Sequence, residues 1–134
     1  MVIVITSTVS AREVYASDKL MYSNNTLYST SSTIYVPVSN ITPIYNISGS
    51  IRVSYQLRCF VPICTSTAEA RIYKNSEAIG TEQSTSETIT PIEDITLSLN
   101  TSDNLSIFAK VTVVGGSPTA RVLNFRVYYT NVTP

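Results

Sequence analysis

The feature that most constrains this chain is an apolar side chain at every second position, repeated in run after run. Period-two alternation sends successive side chains to opposite faces of an extended backbone, so each run reads as a strand with one dry and one wet face. Ile51, Val53, Tyr55 and Leu57 alternate with Ser50, Arg52, Ser54, Gln56 and Arg58. Ala68, Ala70 and Ile72 alternate with Thr67, Glu69, Arg71 and Tyr73, and the two runs are expected to pair as an antiparallel hairpin across the Cys59 to Cys64 tip. Ile95, Leu97 and Leu99 alternate again, and Leu105, Ile107, Ala109, Val111 and Val113 give the longest clean alternation.

Turn residues punctuate these runs. Lys74-Asn75-Ser76-Glu77 reads as a turn before a short returning strand at Ala78-Ile79-Gly80-Thr81, and residues 81–90 read as loop or exposed edge. Asn100-Thr101-Ser102-Asp103-Asn104 and Gly115-Gly116-Ser117-Pro118 mark two further reversals, the glycine pair reading as a hairpin turn. In the last strand Ala120 and Val122 lie on one phase but Leu123, Phe125, Val127 and Tyr129 on the other. A β-bulge near residues 122–124 accounts for the switch, because one extra residue exchanges the two faces. Ile34, Val36 and Val38 alternate, with Pro37 confining that run to an edge strand or a strand end, and Ile41, Tyr45 and Ile47 alternate with one gap. Residues 12–22 fit a helical stripe poorly and read as extended or irregular. With no internal repeat and eight or nine short strands, the expectation is an all-β, two-sheet antiparallel sandwich, jelly-roll-like, in a single domain spanning 1–134.

Composition narrows the partners. Charged residues make up 13% of the chain, far below the roughly 25% usual in soluble proteins. Hydroxyls take over the wetting of the surface, since Ser and Thr number 37. Nine basic residues balance nine acidic ones, so the basic footprint of a nucleic-acid binder is missing. No run approaches the roughly 20 apolar residues of a membrane span. The opening Met1-Val2-Ile3-Val4-Ile5-Thr6 has no basic region and a very short apolar run, which argues against a secretory signal in the chain as it stands.

The chain contains no histidine, which rules out Ser-His-Asp and Cys-His catalysis and zinc sites with imidazole ligands. Carboxylate chemistry would have to draw on Glu69, Glu93, Asp94 and Asp103; Glu69 reads better as a solvated charge beside Arg71 or Arg52. Glu93-Asp94 has the look of an oxygen-rich loop for Ca²⁺, without the further carboxylates such sites use. There is no phosphate loop or nucleophile elbow. The reading is therefore a non-enzyme with no catalytic residue, metal or cofactor.

Nine tyrosines and no tryptophan remain to be placed. Tyr22, Tyr28, Tyr35, Tyr73 and Tyr128 fall on outward phases or in loops, where Tyr supplies contact area for a sugar or a protein partner, although strands also favour Tyr for its own sake. The candidate ligand or interface set is Tyr28, Tyr35, Tyr73, Arg71 and Tyr128, and Arg52, Arg71 and Arg126 form a charged stripe with Glu69 if they share neighbouring strands. Cys59 and Cys64 are five positions apart, either as a disulfide closing a hairpin tip or as two buried thiols. Six Asn-x-Ser/Thr triplets begin at Asn24, Asn40, Asn46, Asn100, Asn104 and Asn131. Composition is expected to generate most of them, and glycosylation is conditional on location.

From Ser50 onward the order of motifs resembles a β-sandwich domain of small structural and appendage proteins of viruses and phages, including those of archaea. Ser50-Ile51-Arg52-Val53-Ser54-Tyr55, Ala68 through Asn75, Ala78-Ile79-Gly80-Thr81, Asp94-Ile95, Asp103 through Lys110, and Asn124-Phe125-Arg126-Val127-Tyr128 carry it. Where such domains place Lys-Asn-Gly in the hairpin, this chain has Lys74-Asn75-Ser76. The resemblance implies a virion surface, tail or fibre-like protein that acts by self-assembly or protein contact, as a homo-oligomer or with other virion proteins, in the virion or outside the cell. Two alternatives accompany it: a carbohydrate- or receptor-binding module, and an accessory protein of unassigned role in the host cytoplasm during infection.

Overall fold

The computed structural model describes residues 19–43, 46–60 and 66–129, and these form eleven strands. They are β1 (Lys19–Asn24), β2 (Tyr28–Thr30), β3 (Val36–Ile41), β4 (Ile47–Phe60), β5 (Thr67–Lys74), β6 (Glu77–Ala78), β7 (Gln83–Thr85), β8 (Thr88–Ile89), β9 (Ile92–Leu99), β10 (Leu105–Thr112) and β11 (Thr119–Tyr129). The count exceeds the expected eight or nine because the polar stretch 81–90 supplies two short edge strands, one to each sheet. No helix of the described residues is long and apolar enough to cross a membrane.

The strands lie in two antiparallel sheets. One has the order β1-β11-β4-β8, with β9 also on β4 and β2 also on β11; the other has the order β3-β10-β5-β6, with β7 also on β5. The pairs β1 with β11, β3 with β10, β4 with β9, and β5 with β6 and β7 are successive rungs of one long antiparallel ribbon. Alternate rungs belong to alternate sheets, and rolling the ribbon brings β11 beside β4 and β10 beside β5. This is the jelly-roll path, a two-sheet all-β architecture.

The topology corrects one expectation from sequence. Residues 51–57 and 68–72 are not hairpin partners, since β4 pairs with β11, β9 and β8 while β5 pairs with β10, β6 and β7. The chain therefore changes sheet between β4 and β5. It does so again at the Asn100 to Asn104 turn and at the Gly115-Gly116 reversal, which leaves Lys74 to Glu77 as the tight hairpin among these turns. Alternation fixes which face of a strand is dry but not which strand lies beside it.

The dry faces meet between the sheets. Ile51, Val53, Tyr55 and Leu57 of β4 and Val122, Phe125 and Val127 of β11 pack against Ala68, Ala70 and Ile72 of β5 and Leu105, Ile107, Ala109 and Val111 of β10. The six-stranded sheet contributes the two largest fully buried side chains, Tyr55 and Phe125, and the other sheet contributes three alanines. Bulk on one layer is thus offset by its lack on the other, as close packing requires. Phe125 also meets Tyr22 edge to face, with centroids 6.3 Å apart and planes at 71°. Tyr22 reaches the core because a register shift between Leu20 and Tyr22 turns it inward opposite Val127, against its outward sequence phase.

The parity switch in the last strand has the expected cause. The register of β11 on β4 shifts between Leu123 and Arg126, and Asn124 takes φ 58°. A left-handed residue there lets Val122 and Phe125 both face inward. Pro37 likewise lies on an edge strand, β3, whose register shifts beside it. Asn75 opens the tight hairpin at φ 58° while Ser76 has no positive φ, a pattern that fits a II′ turn rather than I′. Replacing Asn124 with Val should lower stability by about 1–2 kcal/mol, the cost of a left-handed conformation for an L-residue. Asn124→Gly should leave the urea midpoint unchanged or raise it, and equal loss in both variants would show that the bulge does not set the strain.

Candidate functional site

Strand parity and cross-strand register assemble three of the five candidate contact residues on the outer face of the five-stranded sheet. Arg71 and Tyr73 stand on the outward phase of β5, and Tyr35 leads into β3 at the sheet edge. Register sets Phe108 of β10 opposite Arg71. The Tyr73 and Phe108 rings stack at 3.9 Å with planes 10° apart, and Tyr35 lies 6.2 Å from Tyr73, tilted by 54°. The Lys110 ammonium sits 4.8 Å from the Tyr35 ring centroid. Phe108 and Lys110 belong to the group although reading tyrosines alone passes over them. Their signal was the outward phase of the β10 alternation.

Hydrogen bonds fix the rim of this aromatic group. The Tyr35 hydroxyl donates to the Glu82 carboxylate; burial first, then this bond and the nearby carboxylates, push the phenol above its ordinary range. Arg71 Nε donates to the Gly80 carbonyl at 2.5 Å, which ties β5 to the segment after β6. Glu69 accepts from the Thr67 and Thr112 hydroxyls at 3.0 to 3.1 Å. This outward carboxylate, on the same face as Arg71, is held by hydroxyls of its own sheet.

The other two candidates lie on the six-stranded sheet. Tyr128 is on the outer phase of β11, between Leu20 and Arg52. Tyr28 pairs with the buried Val122 and so occupies the inner phase of β2, where its hydroxyl accepts from Asn24 Nδ2 at 3.1 Å. The charged stripe does not form across one surface. Arg52 and Arg126 face outward from the six-stranded sheet, whereas Arg71 and Glu69 face outward from the opposite one. Arg52 instead makes a forked pair with Asp94, Nε to Oδ1 at 2.7 Å and Nη2 to Oδ2 at 3.0 Å. Arg126 donates to Asn25 Oδ1 at 2.7 Å.

The Glu93-Asp94 loop is a correction as well. Both residues lie within β9, where neighbours point to opposite faces. Asp94 is outside on Arg52, and Glu93, opposite the buried Val53, turns inward and accepts from the Thr81 N–H at 2.8 Å. Two carboxylates on opposite faces of one sheet cannot share an ion. The Glu93 carboxylate also adds to burial in raising the Tyr55 phenol.

The two ends of the sandwich differ in chemistry. At the end where β4 and β10 finish, four large apolar side chains are exposed: Ile34 at 70%, Val113 at 48%, Val114 at 72% and Phe60 at 39%. The Val111 N–H donates to the Ser32 carbonyl there, holding the β2–β3 connection against β10. Ser66 Oγ accepts from the Val114 and Gly115 N–H groups and donates to the Gly115 carbonyl, which fixes how Val114 is presented. The Phe60 ring lies under Arg121, whose guanidinium carbon is 3.5 Å from the centroid. Cys59 is buried at this end, and Cys64 lies outside the described residues.

The opposite end is polar and stitched by side chains. Asn75 donates to Asp103 Oδ1 at 3.1 Å, and Asp103 Oδ2 accepts from the Asn100 N–H at 2.8 Å. The Asn104 N–H donates to Asn75 Oδ1 at 3.0 Å, and the Thr42 hydroxyl to Asn104 Oδ1 at 3.0 Å.

These features define the class of protein: a jelly-roll sandwich with an aromatic outer face, one apolar end and one hydrogen-bonded polar end. No family model matches the sequence, and no curated protein matches it. Among solved structures it is similar to the crystal structure of the VP2 subviral particle of infectious bursal disease virus, with 10% identity and a TM-score of 0.44 over 92% of this chain and 34% of that one. It is also similar to the structure of the infectious bursal disease virus Gt strain, with 8% identity and a TM-score of 0.45 over 93% and 37% of the two chains. T=1 particles derived from infectious bursal virus give 9% identity and a TM-score of 0.39 over 97% and 38%. The chain thus spans little more than a third of the length of these proteins. The likeness is one of fold outline only and does not bear on an archaeal source.

Asp103 gives the polar end a pH dependence. The Asn100 N–H, the Asn75 amide and the Lys74 charge hold its carboxyl below the usual carboxylate range. A depressed folded value contributes stability above the unfolded value near 4, lost as pH falls through the folded value. Asp103→Asn should therefore lower stability at pH 7 and flatten the acid limb of a stability-against-pH curve below pH 4. An unchanged acid limb would remove Asp103 from that account.

Proposed function

We propose that this chain is a non-enzymatic structural protein, of the virion surface or appendage kind, that acts by contact with further copies of itself through the apolar end of the sandwich. Fold alone hosts many roles, jelly rolls serving in capsid and lectin domains alike, so the support comes from the surface. The observation that carries the reading is the exposure of Ile34, Val113, Val114 and Phe60 at one end of a chain whose other end is polar. Several large apolar side chains exposed at one end, as against single ones scattered over a surface, are characteristic of contact sites. Balanced charge, nine against nine, removes the net self-repulsion that would oppose association of identical chains. A Cys59–Cys64 disulfide would brace the inter-sheet connection beside this end.

Light scattering across a concentration series tests the reading. The protein should associate, and Ile34→Asp combined with Val114→Asp, both at highly exposed positions, should return it to a monomer with its thermal midpoint within a few degrees of the parent. A parent that is strictly monomeric at high concentration refutes self-assembly. Loss of assembly on adding reductant would implicate Cys59 and Cys64.

The aromatic group favours a second reading, a carbohydrate- or receptor-binding face. Tyr73, Phe108 and Tyr35 offer ring surface beside Lys110, Glu69 and Glu82, a combination suited to stacking on a sugar and bonding its hydroxyls. Glycan-array binding that falls at least tenfold in Tyr73→Ala would support it, and an array without signal would count against it.

A further inference from the structure

Six of the nine asparagines begin an Asn-x-Ser/Thr triplet, although Ser and Thr make up 37 of 134 residues, a share that would place a hydroxyl two positions on for fewer than one asparagine in three. Composition therefore accounts for fewer than half of the six triplets, against the expectation that it generates most of them. The fold then gathers the triplets, because Asn40 lies near the end of β3, Asn46 precedes β4, and Asn100 and Asn104 flank the β9–β10 turn. All four stand at the polar end of the sandwich, opposite the exposed apolar side chains.

The structure assigns Asn46 and Asn100 as acceptor sites for N-linked glycan. A glycan borne by a folded protein needs its asparagine nitrogen in solvent, and both side chains are exposed. Asn46 adds a specific contact: its Oδ1 accepts from the Thr101 N–H at 3.2 Å, which leaves Nδ2, the atom that is modified, out of that bond. The hydroxyl residues of these two triplets, Ser48 and Ser102, are exposed too. The other described triplets are less suited. Asn24 Nδ2 is committed to the Tyr28 hydroxyl at 3.1 Å, Asn40 is followed by Pro43 directly after its Thr42, and the hydroxyl residue of the Asn104 triplet, Ser106, is buried.

The step requires a lipid-pyrophosphate-linked oligosaccharide and its transferase, met on a secretory route. Nδ2 attacks the anomeric carbon, the C–N bond forms, the C–O bond to pyrophosphate breaks, Nδ2 gives up one proton, and the lipid pyrophosphate leaves. In a chain with 13% charged residues, such sugars would supply hydration at one end while leaving the apolar end bare. The assignment is independent of whether that end self-associates.

The experiment is to secrete the full chain from a eukaryotic cell behind an appended leader and measure its intact mass. Peptide N-glycosidase in ¹⁸O-water, which leaves a labelled Asp at each modified position, then maps the sites. The expected result is a mass above the 14.7 kDa polypeptide that returns to it on enzyme treatment, with label at 46 and 100 and none at 24 or 40. Asn46→Gln with Asn100→Gln should abolish the excess while secretion persists. Each assignment stands on its own residue: absence of label at 46 or at 100 in secreted protein overturns that site, and an intact mass equal to the polypeptide overturns both.

Discussion

The whole architecture depends on hiding one face of each sheet against the other. Neither sheet is stable alone in water, because each carries a row of apolar side chains that only the opposite sheet can cover. Tyr55 and Phe125, on neighbouring strands of the six-stranded sheet, fill the interlayer most, and burying an apolar side chain such as that of Phe125 stabilises by about 1.5–3 kcal/mol. The bulge at Asn124 keeps Phe125 on the same face as Val122, so one residue with a left-handed backbone conditions the packing of the central strand pair.

The same constraint distributes function. With the inner faces committed to the core, chemistry is confined to two outer faces and two ends. The outer face of the five-stranded sheet holds an aromatic group whose members already bond one another, through ring stacking and the Tyr35–Glu82 contact. The outer face of the six-stranded sheet carries a forked ion pair, Arg52 with Asp94, and the outward guanidinium of Arg126. The ends differ most, since one closes its turns with Asn, Asp and Thr side chains and the other exposes aliphatic residues.

How much of this was legible beforehand depends on the range of the signal. The dry faces of β4, β5, β9 and β10 and the bulge in β11 are local, written in alternation and its break. Pro37 marked an edge strand for an equally local reason, its missing N–H. Strand neighbours were not legible: the hairpin expected across Cys59 to Cys64 satisfies the same parity as the observed crossing between sheets. Tyr22 was misplaced by one register shift, and Glu93 and Asp94 separated as soon as the segment proved to be a strand. Phe108 joined the aromatic group through Tyr73, and Lys110 through the still more distant Tyr35, so neither neighbour lies within reach of a local pattern.

The sequence by itself determined that the chain is all-β, which side chains are buried in most strands, that histidine chemistry is absent, and that its surface is wetted by hydroxyls more than by charge. These follow from residue type and spacing within a few positions. Only the tertiary structure decided which strands are adjacent, that Tyr35, Tyr73 and Arg71 share a face while Tyr28 and Tyr128 do not, and that Ile34, Val113, Val114 and Phe60 gather at the end opposite the Asn75–Asp103 turn network. Those outcomes depend on how the ribbon is rolled, and that path is set by the summed packing of two sheets, which no single segment encodes.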